Sequence, residues 1–119
     1  MMLCVPGKSW AASLVTARYL QTQGTEIVVK IMISAPPPPT LIIMQKLPPG
    51  IVIQHAQPRV KSQNPARGEA KWLLVHVRPG TLTLRMILNN TVTSDAISGE
   101  IRYREPKAGT MAIVPILKK

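Results

Sequence analysis

Apolar and polar residues alternate along most of the chain. Ile27, Val29, Ile31 and Ile33 share one parity, with Lys30 on the other. Leu82, Leu84, Met86 and Leu88 alternate with Thr81, Thr83 and Arg85. Ile101 and Tyr103 alternate with Glu100, Arg102 and Arg104. Successive side chains on a strand point to opposite faces, so period two with β-branched enrichment predicts half-buried strands. Further stretches over 14–21, 41–46, 51–57, 70–77 and 110–117 bring the total to about eight. Proline and glycine punctuate them at Gln23-Gly24, Pro36–Pro39, Leu47-Pro48-Pro49-Gly50, Asn64-Pro65, Pro79-Gly80, Pro106 and Gly109. No segment sustains an i, i+3, i+4 pattern with helix caps, and twelve prolines disfavour long helices. The prediction is an all-β domain over residues 12–119, an antiparallel sandwich or barrel of about 7–8 strands.

Size and composition fit one such core. The chain has 119 residues, 45% of them apolar, and charged residues make up 17%. Phe is absent, with two Trp and two Tyr, so Ile, Val, Leu and Met must fill the interior. Trp72 and Tyr103 are therefore expected in the core rather than on a carbohydrate-binding surface. A single cysteine excludes an internal disulfide and any multi-cysteine metal site. No apolar run approaches the roughly 18–20 residues that a membrane-spanning helix needs.

The first eleven residues differ from the rest. Met1 to Val5 are apolar, and Ser9-Trp10-Ala11 has the small-x-small pattern of a signal-peptide cleavage site. Two readings fit residues 1–11: the remnant of an export signal cleaved near Ala11, or a disordered tail. The first places the domain outside the cytoplasm and removes Cys4. Bulky Leu3 stands where a lipoprotein signal needs a small residue.

The stretch from Ile27 to Ile116 resembles an immunoglobulin-like β-sandwich module of bacterial secreted and cell-surface proteins, of the type associated with dockerin and cohesin domains. The residues that carry the resemblance are Leu47-Pro48-Pro49-Gly50 leading into a strand, then Asn64-Pro65-Ala66-Arg67-Gly68-Glu69-Ala70-Lys71-Trp72. Pro79-Gly80-Thr81-Leu82-Thr83-Leu84 follows, and Ser98-Gly99-Glu100-Ile101-Arg102-Tyr103 ends the series. The resemblance implies a fold and an extracytoplasmic setting. It carries over no catalytic residue, because the matching positions are turn and core positions.

Catalytic chemistry is sparse. His55 and His76 have no metal-ligand partner at i+2 or i+4, and no HExxH, GxSxG, phosphate loop or dinucleotide fingerprint occurs. Glu100 and Glu105 are flanked by Arg102, Arg104 and Lys107, which reads as surface pairing rather than a glycosidase pair. The expectation is no enzyme, no cofactor and no metal. The run Pro36–Pro39 reads as a stiff strand connection more readily than as a polyproline ligand.

The remaining signal is charge. Fifteen Lys and Arg against five acids give +10. Arg59, Lys61, Arg67 and Lys71 cluster in sequence, Arg102 and Arg104 share a strand face, and Lys118-Lys119 end the chain. A surface of this kind attracts polyanions, with an affinity that falls as salt rises. A solvated face that maintains solubility is the plainer reading. Two functions follow. One is a noncatalytic structural or protein-interaction module with a protein partner in a secreted or surface assembly. The other is a basic module for an anionic polymer (polysaccharide, cell wall or nucleic acid), bound through Arg59, Lys61, Arg67, Lys71, Arg102 and Arg104.

Overall fold

The computed structural model describes residues 14–118; residues 1–13, which include the segment expected to be an export-signal remnant or a tail, and Lys119 lie outside the described residues. The described chain is all-β. Its strands are β1 (Val15–Gln21), β2 (Gly24–Ile33), β3 (Thr40–Lys46), β4 (Ile53–Gln57), β5 (Ser62–Asn64), β6 (Glu69–Val75), β7 (Gly80–Val92), β8 (Ser98–Arg104) and β9 (Met111–Leu117). Short 3-10 turns stand at Pro65–Arg67 and Ser94–Ala96. No helix among the described residues is long and apolar enough to cross a membrane.

The strands form one sheet in the order β4-β7-β2-β1-β9-β8-β3-β6-β5. Neighbours are antiparallel except β1 and β9, which run parallel and are matched at Ala17–Ile116 and Arg18–Leu117. The two ends of the order, β4 and β5, are joined by a side chain. The Ile53 N–H donates to Gln63 Oε1 at 2.9 Å, and Gln63 Nε2 donates to the Ile53 carbonyl at 3.0 Å. A side-chain amide thus takes the place of a neighbouring strand's backbone, and the sheet nearly closes into a barrel.

This corrects the expected fold in two respects. Among the described residues there are nine strands rather than seven or eight, and the sheet is mixed and barrel-like rather than wholly antiparallel. The strand left out is β5, whose Ser62-Gln63-Asn64 has no apolar residue for period two to mark. The parallel joint is a pairing between the first and last strands, which an alternation pattern does not encode.

The core lies inside the nearly closed sheet. Ile27, Val29 and Ile31 of β2 meet Leu41 and Ile43 of β3, Leu84 and Met86 of β7 and Ile101 of β8, all fully buried. Burying such side chains stabilises the fold by about 1.5–3 kcal/mol each. Trp72 is fully buried and donates its indole N–H to the Pro58 carbonyl at 2.9 Å; Tyr103 is buried too, so both sit where the sequence placed them. One polar group shares the core. Tyr19 Oη donates to Gln45 Oε1 at 2.9 Å, and Gln45 Nε2 donates to the carbonyls of Lys46 and Ser98. Burial pushes the Tyr19 hydroxyl up to about 12, against a smaller opposing effect of its bond to Gln45.

The turns that carried the family resemblance are in contact. Pro48 to Ile51 form a tight turn closed by the Ile51 N–H on the Pro48 carbonyl at 3.2 Å, with Gly50 at φ +92°. That is proline and glycine at the positions a type II turn requires. The turn is held to the 64–68 loop by Leu47 N–H to the Gly68 carbonyl and Gly50 N–H to the Pro65 carbonyl, both 2.8 Å. Gly68 has φ +66°, and a Cβ there would lie 1.9 Å from the Leu47 carbonyl oxygen, so only glycine fits. The Pro36–Pro39 run occupies the connection between β2 and β3.

Candidate functional site

The outward face of β6, β3, β8 and β9 has an unusual composition for a solvated surface. One cross-strand row runs Ile113, Arg102, Ile42 and Leu73; the next runs Pro115, Glu100, Met44 and Lys71, continuing to Ser62 on β5. Beyond the first row, Met111 faces Arg104 and Val75 faces Thr40. Leu73, Val75, Met111 and Ile113 are 40, 56, 51 and 56% exposed. Strand parity explains the arrangement: Trp72, Ile43 and Ile101 point inward, so their chain neighbours must point out. The outward positions are apolar on β9 and at the centre of β3, charged at Glu100, Arg102 and Arg104 of β8, and mixed on β6, where Glu69 and Lys71 precede Leu73 and Val75.

A hollow of about 490 Å³ opens on this face, bordered by Met44, Lys46, Glu69, Glu100, Arg102 and Ile113. Its charges are mutually paired. Lys46 Nζ lies 3.3 Å from Glu69 Oε2, and Arg102 Nε lies 2.5 Å from Glu100 Oε2. Such exposed pairs contribute only about 0–1 kcal/mol each, so a partner's groups can replace them at little cost. Arg104 Nη1 donates to the Gly109 carbonyl at 2.6 Å, and Lys71 makes no ion pair among the described residues.

Of the six basic residues singled out in the sequence, the structure sets three on this face, two beside it and Arg59 at another hollow. Lys71, Arg102 and Arg104 lie on this face. Arg67 sits in the 3-10 turn beside it, with Nε 4.0 Å from Glu69 Oε1. Lys61 precedes β5, its backbone N–H on the Lys71 carbonyl at 2.8 Å. Arg59 lines a separate hollow of about 570 Å³ at the seam between β4 and β5, with His55, Gln57 and Gln63.

His55 is on β4 and His76 in the β6–β7 connection, at φ +55°. Among the described residues no group of three or more His, Cys, Asp or Glu is placed to hold a metal ion. The Asp95 carboxylate accepts the Thr93 hydroxyl at 2.8 Å, and that bond, with one to its own backbone, holds it below the usual carboxylate range. What the sequence does not reveal is register. It places Arg18 of β1 directly opposite Lys30 of β2, twelve positions along the chain.

Compared with protein-family models, with curated proteins and with solved structures, the chain matches none.

Proposed function

We propose that the chain is a noncatalytic, immunoglobulin-like β-sandwich acting as a structural or protein-interaction module of a bacterial secreted or cell-surface assembly. Its docking surface is the outward face of β6, β3, β8 and β9. The observation that carries this reading is the exposure of Leu73, Val75, Met111 and Ile113 on one side of one sheet. These residues form two pairs, Met111 and Ile113 on β9 and Leu73 and Val75 on β6, with Arg102 of β8 and Ile42 of β3 between them, and exposed apolar groups rimmed by polar ones in this way mark interaction surfaces. The occupant is a folded protein surface with apolar side chains bordered by carboxylates, because Lys71 and Arg104 have no carboxylate partner among the described residues. Burying apolar area would supply affinity, and the cations would set orientation and speed encounter.

The sandwich reading draws on the narrow joint between β1 and β9. Only two residue pairs are matched there, which supports reading β4-β7-β2-β1 and β9-β8-β3-β6-β5 as two arrays. The extracytoplasmic setting draws on Ser9-Trp10-Ala11 and on the order of the motif stretches, two of which dock on each other.

Ile113→Glu and Leu73→Glu, placed in the full chain in its native host, test the reading. Both side chains are exposed, so far-UV circular dichroism and Tm should stay close to wild type. A protein that co-purifies stoichiometrically with wild type should be lost about tenfold or more from each variant, the equivalent of ~1.4 kcal/mol. Retention of that partner by both variants overturns the reading, as does a wild-type protein that leaves the envelope or secreted fraction as a monomer.

A further inference from the structure

We infer that the opposite side of the molecule, the outward face of β1, β2 and β7, holds a binding site for an anionic saccharide centred on Arg18 and Lys30.

The two cations face each other in register on neighbouring antiparallel strands. Directly opposed residues have Cβ atoms about 4.5–5.5 Å apart, and like charges so placed repel. Among the described residues, three other strand cations are paired locally, Lys46 with Glu69, Arg85 with Glu26 at 2.6 Å and Arg102 with Glu100; Lys71 and Arg104 are not, but neither stands opposite another cation. Arg18 and Lys30 have no carboxylate partner among the described residues, and Lys30 is half-buried. On β2, Val28 separates Lys30 from Glu26 on this face, and Glu26 is already engaged by Arg85. A bound anion would remove the repulsion and give both cations a shared partner.

The surroundings indicate what carries the anion. A hollow of about 250 Å³ is lined by Thr16, Arg18, Lys30, Met32 and Leu117. The charged row continues from Lys30 to Thr83, and the row beside it runs Thr16, Met32, Thr81. Three hydroxyls and an exposed thioether therefore adjoin the two cations, on three strands that span ~10 Å at the usual strand spacing. Threonines suit sugar hydroxyls and Met32 suits the C–H face of a sugar ring, while Arg18 offers a planar fork for a carboxylate or sulfate. No aromatic side chain stands on these rows to stack a base, so a saccharide fits better than a nucleic acid.

The test is binding of the full chain to a heparin oligosaccharide and a polygalacturonate oligosaccharide across a salt series, with single-stranded DNA alongside. One arm reads a sulfate as the recognised group, the other a carboxylate. Arg18→Gln and Lys30→Gln should each weaken binding to the preferred saccharide by about tenfold and lower the salt slope by about 1. Lys71→Gln and Arg102→Gln, on the other face, should leave both unchanged. Because removing either cation relieves repulsion, neither variant should lower Tm. Absence of saccharide binding at low salt overturns the inference. So does equal loss on Lys71→Gln and Arg102→Gln, or DNA binding with the same variant pattern where saccharide does not bind.

Discussion

Tyr19 and Gly99 depend on each other. A Cβ at Gly99 would lie 2.8 Å from Tyr19 Oη and 2.7 Å from Ile116 Cδ1, so glycine makes room for the buried hydroxyl. That hydroxyl keeps its proton to about pH 12 in the folded protein, whereas in the unfolded chain it ionises near 10. Above pH 10 the unfolded state loses this proton and the native state does not. The contribution is thus fully present below pH 10 and declines between pH 10 and 12. A two-unit difference corresponds to ~2.7 kcal/mol across that window. Urea denaturation at pH 9, 10, 11 and 12 should show this decline in wild type. In Tyr19→Phe the decline should be shallower by most of that amount, and parallel curves contradict the assignment. The inward positions of Trp72 and Tyr103 were legible because few other large side chains exist to fill the interior. The burial of Gln45 was legible only as parity with Leu41 and Ile43; its satisfaction by Tyr19 and Ser98 depends on contacts that alternation does not describe.

Eight strands were legible, those at 27–33, 81–88 and 100–104 from their alternation and the other five as short candidate stretches, many set off by proline and glycine. The short polar β5 was not, yet it supplies the residue that joins the ends of the sheet. Gln63 gives the Ile53 backbone a donor and an acceptor at once, an office a strand normally fills. Gln63→Leu removes both and should lower stability by about 1–3 kcal/mol through the unmet Ile53 groups. Gln63→Glu keeps only the acceptor and should fall between. Urea midpoints and hydrogen exchange of the Ile53 amide check this; unchanged midpoint and protection in Gln63→Leu would show that the bridge has no part in closure. Order along the chain foretold the Pro48–Gly50 turn and the 64–68 loop. Their docking, and the need for Gly68 under Leu47, came from the three-dimensional register.

The whole molecule has two outward faces with different chemistry, and the sequence foretold the charge without its distribution. Arg59, Lys61, Arg67 and Lys71 are neighbours in sequence, and Lys61 and Arg67 stay beside Lys71 at the edge of β6, but Arg59 borders a separate hollow at the seam. Arg18 and Lys30 are distant in sequence and adjacent across β1 and β2. On the β6-β3-β8-β9 side, apolar positions on β9, β3 and β6 surround a paired set of charges, which gives a surface suited to a protein. The central claim is that this side is covered in the cell. The most direct measurement is photo-crosslinking in the native host from a probe at Ile113, with a probe at Thr83 on the other side as reference. A single protein adduct from position 113, absent from 83 and lost when Leu73→Glu is added, is the predicted result. Adducts of the same pattern from both positions, or none from 113, would contradict the claim.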